Sequence, residues 1–553
     1  MKKLLVLLVA ALPVAAGCVK VDRSLGQGLV DKSLLFDTYT VEFPLEEISM
    51  QAAEDLSGYS STRVTVGAIR DEVFGLTTRE SGFSLIPALD TLDLGDNPRA
   101  LNMQLYLESD SLSCADPSQK AILQNLYVTA LTAPLPTDDV RNTREIAHGT
   151  ELVSDGLPVL NGTSGLRINF TQAFAQQYVD KLNEIGPVFK DRQNEDGIDR
   201  YQEWVEAMPG IYLQTDIPEG LGGRINLFNL STLSVSSNKY YRNNNLAVLK
   251  VHSRWNGVEK DSTFLLIPGE PEFVDEVSAV NNSTGFYQYA FNRTVQETHS
   301  GMDAGKRILV EGGGGVKPVI SARELQRKTR EAILSHGGDP DKSVIVKASI
   351  LLPFDLPESY EDLDFYPSIL SPTIRTTIKA DDGTERVSFA GLTDASVSSE
   401  NQGDIDRSNL VYSPDITYHL QETLSRTDLD TATNADIWLL VIHTQKVANA
   451  SESLYDNEYY QQLLYASYDN SLYGGGYGYG GYGYSSYGYG GYGYNSNYYS
   501  YLMLAQMMAA STEQSYSYTS ELDKDRYYRG ILCGPESTTR QPSFRVTVAT
   551  PKD

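Results

Sequence analysis

Cysteine is scarce: the 553-residue chain carries three, Cys18, Cys114 and Cys533. That rules out a scaffold stapled by many disulfides. Histidine is nearly as rare, at six residues. His148, His252, His299, His336, His419 and His443 are so dispersed that none forms an HExxH-type metal pair. Basic runs are absent after the first few residues, and the net charge is −27. Sustained binding to nucleic-acid phosphates or to an anionic lipid surface is therefore disfavoured, and the acidity serves solubility. Beyond the N-terminus no segment reaches the ~18 uncharged apolar residues that a membrane-spanning helix requires.

The N-terminus itself is apolar. Lys2 and Lys3 precede an apolar stretch, Leu4 to Leu12, too short to serve as a mature spanning helix. Ala15-Ala16-Gly17-Cys18 follows and looks like a bacterial lipobox. The expectation is a signal peptide over residues 1–17, cleaved before Cys18, whose thiol and new amino group take up acyl chains. Two or more chains give stable anchoring where one does not. An ordinary secretory signal with an incidental cysteine is the alternative, and Ala15 in place of the commoner Leu leaves it open. Cys114 and Cys533 can then form one bond across a very long loop or remain two unrelated buried thiols.

Residues 18–32 read as a lipidated tether, with Gly26 and Gly28 and little periodicity. After it, short period-two segments dominate. Leu101, Met103, Leu105 and Leu107 alternate with polar residues, as do Tyr39, Val41 and Phe43, Val64 and Val66, and Phe544, Val546 and Val548. Denser runs at Thr263–Ile267, Val344–Leu352 and Ile437–Ile442 predict strands covered on both faces. Strands punctuated by Asp, Asn, Gly and Pro point to a mainly β, multi-domain, antiparallel, sandwich-like chain with a few short helices. The expected divisions are an N-terminal β domain at 33–165, a central β domain with packing helices at 166–355, and a C-terminal β region at 356–553.

Three helices are expected. Ser321-Ala-Arg-Glu324 has capping-box spacing, with Gly337 and Gly338 as the stop. Asn169 to Ile185 and Tyr201 to Ala207 are expected as packing helices.

The tract at 470–512 has no charged residue, and YGYGGYGY occurs in it twice. Tyr477, Tyr479, Tyr482, Tyr484, Tyr487, Tyr489, Tyr492 and Tyr494 each offer a rigid apolar face with a polar tip, while the glycines make ordering costly. Such a disordered Tyr/Gly insert is either a slippage-born surface loop or a sticky extension that docks on a partner barrel, on glycan or on itself.

Familiar catalytic spacings fail. Gly162-Thr-Ser-Gly165 lacks the geometry of a nucleophile elbow. Gly312–Gly315 precedes Val316-Lys317-Pro318, so a phosphate loop is broken and a glycine-rich connection between strands is expected. Asp191 to Gly197 resembles a calcium loop in composition only. Asp362 and Asp364 could serve a glycosidase only if their spatial separation allowed it. The expectation is no catalytic residue, no metal and no cofactor.

Several segments together resemble a Bacteroidota lipoprotein family that carries a domain of unknown function, the 4270 family. Val66-Gly67-Ala-Ile-Arg-Asp71-Glu-Val-Phe74-Gly75 is similar to its N-terminal signature. Met208-Pro-Gly210-Ile211-Tyr212-Leu213, Ala290-Phe291-Asn292, Gly313–Lys317, Arg529-Gly530-Ile531-Leu532 and the closing Phe544–Val548 follow in the family's order. The resemblance implies a β-rich outer-membrane lipoprotein and brings no known activity. Gly67, Asp71, Phe74 and Gly75 are expected to be structural, with Asp71 holding a turn and Phe74 buried. Lys20 and Arg23 flank the single Asp22, so a cell-surface orientation is favoured over the periplasmic face without the acidic stretch that often marks export. The expected function is a non-enzymatic binding or scaffold subunit for an outer-membrane β-barrel protein, held to lipid through Cys18. A glycan-binding or adhesive surface lipoprotein is the second class and an envelope hydrolase the third.

Overall fold

The computed structural model describes residues 36–551 except 61, 88–92, 111–121, 163, 186–199, 231–244, 272–285, 288–289, 298–301, 358, 380–384, 393, 395–400, 430–434 and 449–515. It is mainly β, with antiparallel sheets of 14, seven, five and two strands and a few short helices.

The alternating segments at 36–44, 96–107 and 543–551 become half-covered strands, whereas Arg63–Asp71, which holds Val64 and Val66, is buried on both faces through Ile69. Met103, Leu105 and Leu107 of the strand Asp96–Leu107 are buried, while Leu101 on the same strand stands exposed. The first and last described strands, Phe36–Pro44 and Ser543–Pro551, pair so that Tyr39 faces Val548, Val41 faces Val546 and Phe43 faces Phe544. Residues half a thousand positions apart thus share one apolar face, because the side-chain period of both strands is two.

Of the dense apolar runs, one is covered on both faces. Ile437, Leu439 and Val441 enter the larger cluster below their sheet, and Trp438 and Leu440 join a small cluster above it with Ala53, Leu56 and Val319. Val344–Leu352 is corrected, and the side chains of Leu265 and Ile267 lie outside the described residues. In Val344–Pro353, Ile345, Ala348, Ile350 and Leu352 are buried, but Val344 and Val346 are exposed. A register shift between Ile345 and Lys347 interrupts the alternation. The outer face of that sheet carries Thr40 against Thr547 and Glu42 against Arg545, a solvated polar surface. In Val258–Pro271, Phe264 and Leu266 are buried while Thr263 is exposed. An apolar run alone does not reveal whether a second layer lies above it.

The helix Gln172–Ile185 packs Phe174, Tyr178, Val179 and Leu182 on the first sheet and continues an aromatic chain to Trp204 of the helix Arg200–Ala207. The helix Ala322–Ser335 starts at Ser321, whose Oγ accepts from the Glu324 amide at 3.2 Å. The reciprocal half of the capping box is replaced. Glu324, fully buried, accepts from the Glu46 and Glu47 amides at 2.8 Å each, tying the helix to the corner after the first strand. A further helix, Thr417–Leu424, carries no sequence signal as clear as these.

Two large apolar clusters organise the chain. The first draws on residues from Val64 to Ala290. The second gathers Leu45, Ile48 and Met50 with Ala304 through Val548. The first body is therefore an insertion, entered after Leu56 and left between Glu297 and Met302. The strand pairs Leu107–Leu166 and the bridge Phe354–Leu532 carry these clusters across positions 165/166 and 355/356. One residue crosses over: Phe74, flanked by strands of the first body, is packed in the second cluster.

Candidate functional site

The two bodies meet at a buried polar junction, built from the inside of the first body outward. Strands Arg63–Asp71 and Gly75–Pro87 form a hairpin whose connection is Glu72, Val73 and Phe74. Asp71 Oδ1 accepts from the Val73 amide at 2.8 Å and the Phe74 amide at 3.0 Å, an Asx turn. Gly75 closes the turn at φ +71°, where a side chain would also run into the Glu297 carboxylate. Turned this way, Phe74 is 3% exposed. Further back on the strand Arg63–Asp71, Gly67 has φ +148° and lies against the Arg224 backbone carbonyl, leaving no room for a Cβ.

The second body answers with the segment from Asp523 to Arg529, which follows the strand Tyr516–Leu522 and precedes Arg529–Cys533. Arg529 pairs with Asp71 Oδ2 and lies 4.2 Å over the Phe365 ring. Asp525 accepts from Ser60 Oγ at 2.6 Å and Asn292 Nδ2 at 2.9 Å. Lys524 donates to the Ser57 carbonyl at 2.6 Å and to the Tyr59 carbonyl. Arg526 bonds Asp523 at 2.6 Å and stands 3.5 Å from Asp110, which also holds Arg63 at 2.8 Å. Burial pushes the Asp523 carboxyl upward, yet Arg526 and Arg63 keep it below the ordinary carboxylate value.

The loop Gly312–Gly315 closes the junction. Arg79 packs on Gly313, Asn142 on Gly314, the Arg526 carbonyl on Gly312, and Glu311 with Gln296 on Gly315. Four glycines in a row are thus a matter of close approach from both bodies. Lys317, 1% exposed, donates to the Gly313 carbonyl at 3.1 Å and the Gly315 carbonyl at 2.8 Å. Burial pulls its ammonium down to about 7, with Glu311 opposing and Arg79 adding to the drop. Burial likewise pulls Arg79 down to about 10 against the pull of Asp525, Asp523 and Glu311.

Chemically, the arrangement is a closed set of charge and hydrogen-bond contacts between the two bodies. Arg63, Arg79, Lys317 and Arg526 are buried with Asp110, Glu311, Asp523 and Asp525, four charges of each sign. Each carboxylate bonded above is met by a cation, an amide or a hydroxyl donor of the protein. A pocket of about 40 Å³ beside the glycine loop, lined by Glu54, Thr143, Gln296, Glu297 and Glu311, is water-sized. A larger recess of about 550 Å³ carries Glu46, Glu47, Asp436 and Glu536. Among the described residues, no group of three or more His, Cys, Asp or Glu side chains could hold a metal ion.

Asp71, Phe74 and Gly75 are therefore together at one edge of the junction, and Gly67 lies further along the same strand, paired with Arg79. Asn292, Gly313–Lys317 and Arg529 come to the same place, while Met208–Leu213 lies one strand away, with Ile211 paired to Phe83. Cys18, the eight tyrosines from Tyr477 to Tyr494, Cys114 and the Asp191–Gly197 loop lie outside the described residues. Cys533 is a free buried thiol 3.2 Å from the Phe354 carbonyl. Sequence reasoning missed Arg79, Glu311 and the Asp523–Tyr528 run. The available signal was the dense charge of DKDRYYR, ten residues beyond a charge-free tract, but buried and solvated charge runs read alike. Comparison with family models, with curated proteins and with solved structures gave no match.

Proposed function

We propose that the chain is a non-enzymatic lipoprotein of the outer membrane, facing the cell surface, that serves as a binding or scaffold subunit for a β-barrel protein. Membership in the 4270 family belongs to the same reading and rests on the ordered segments quoted above. The observation that carries it is where the Tyr/Gly insert joins the framework. Strands Ile437–Ala448 and Tyr516–Leu522 pair from Ile442–Leu522 out to Ala448–Tyr516, so the intervening residues leave and return at directly opposed backbone positions. From His443 onward this ribbon has no third partner among the described strands.

The ribbon and the first described strand also sit at different edges. The strand Phe36–Pro44, reached directly from the tether, is one edge of the five-stranded sheet, and Ile405–Asp406 is the other. Ile369 pairs with Ile442 and bridges to Asp404, so the ribbon departs on the side away from the first strand. Such a frame suits holding a lipid anchor at one edge and presenting aromatic contact area at another.

Native pull-down through the anchored protein, followed by mass spectrometry, tests this. Stoichiometric recovery of a β-barrel is the expected result. Glycan-array binding without any recovered barrel would replace it with the adhesive reading.

A further inference from the structure

The inserted body is attached to the second body by two chain crossings and, between them, by contacts that are almost wholly polar. The apolar clusters stay separate except for Phe74. Lys524, Asp525, Arg526 and Arg529 supply the grip, through side chains reaching Ser57, Tyr59, Ser60, Asp71, Asp110 and Asn292. Between Asp523 and Tyr528 the segment itself has no strand or helix pairing. Its hold on the first body is therefore made by its own side chains and by Arg79, which donates to the Lys524 carbonyl at 3.3 Å.

That hold is also incomplete. Arg79 Nε and Nη2, Asn142 Oδ1, Gln296 Oε1 and Arg526 Nε are buried without a hydrogen-bond partner. Buried donors and acceptors left unmatched weaken a contact relative to apolar packing of the same area. Polar interfaces between bodies of one chain are where relative motion is expected. Within each body, by contrast, long antiparallel ladders and closed apolar clusters resist opening.

We infer that Asp523–Arg529 is a clasp, and that the molecule opens along this junction as a unit while the ladders of both bodies stay closed. The clasp continues directly from the strand Tyr516–Leu522, so the ribbon and the junction share one stretch of chain. Opening withdraws Lys524, Asp525 and Arg526 from the first body and exposes Arg79 and the Gly312–Gly315 loop.

Hydrogen exchange on the full chain, in low guanidinium below the unfolding transition, tests this without any substitution. The expected pattern is a common opening for amides of 71–76, 312–316 and 523–529. Amides of Leu246–Trp255 in the first body and Ser543–Pro551 in the second should stay protected. Asp525→Ala should speed exchange in the first set by about tenfold or more and leave the second set unchanged. Exchange that rises equally in both sets, or that differs from one junction segment to the next, overturns the clasp.

Discussion

Phe74 shows how much one side chain can depend on its turn. Asp71 and Gly75 fix the turn, and the ring ends in a cluster that its own strands do not build. Phe74→Ala should cost ~3–5 kcal/mol, the range for a buried aromatic truncation. Denaturant unfolding monitored by tryptophan fluorescence measures it, and an unchanged midpoint would contradict the packing described. His419 offers a test by pH. It sits in the helix Thr417–Leu424 with Nε2 buried and unpartnered. Burial pulls its imidazole down to about 4, Glu422 opposing and Arg426 adding. A base whose folded value lies below its unfolded value stabilises the fold fully above the unfolded value, near 6.5, and that contribution is lost as pH falls toward 4. The unfolded chain binds the proton first in that window, so stability should drop by roughly 3 kcal/mol between pH 6.5 and 4 from this group. His419→Gln should flatten the slope by that share in urea titrations at successive pH values, and an unchanged slope would assign the acid sensitivity elsewhere.

At the scale of elements, what was legible is what is local. Period-two alternation located the strands holding Met103, Val64, Tyr39 and Val546, and the Ser321 cap marked a helix start to the residue. Partners were not legible. Glu324 has capping-box spacing, but its carboxylate is claimed by the Glu46 and Glu47 amides, some 280 positions earlier. Val344–Pro353 reads as a doubly covered strand because its exposed face also carries Val344 and Val346. The junction was the least legible of all: Gly313, Asn292 and Arg529 are each unremarkable alone, and only the fold shows that they crowd one another. The ribbon Ile437–Ala448 with Tyr516–Leu522 carries a prediction of its own. Since the chain leaves and re-enters the sheet at the paired residues Ala448 and Tyr516, deleting Gly474–Asn497 from between them should leave Tm nearly unchanged, because a charge-free, glycine-rich stretch offers little to a core. Differential scanning calorimetry of the deletion is the check, and a large fall in Tm would make the tract a structural part of the sheet. If the fold survives, the same variant should recover less partner in the pull-down.

For the whole molecule, charge and anchoring belong together. The chain carries −27 overall, yet the buried side chains of the junction are four cations and four carboxylates, so the acid excess lies elsewhere, among the described residues largely on solvent-facing surface. Such a surface is repelled by anionic lipid headgroups, and the framework offers no helix long and apolar enough to cross a bilayer among its described residues. On the proposed reading membrane retention comes from acyl chains at Cys18, each buried methylene contributing about 0.8 kcal/mol. Cys18→Ala should accordingly move the protein into the soluble envelope fraction or leave an uncleaved precursor. Fractionation with immunoblotting reads both outcomes, the first by compartment and the second by size. High salt should not release the wild-type protein, because the attraction is apolar and not electrostatic. A Cys18→Ala protein of mature size that stays with the membrane would show instead that the folded framework binds there through a partner, without need of the lipid.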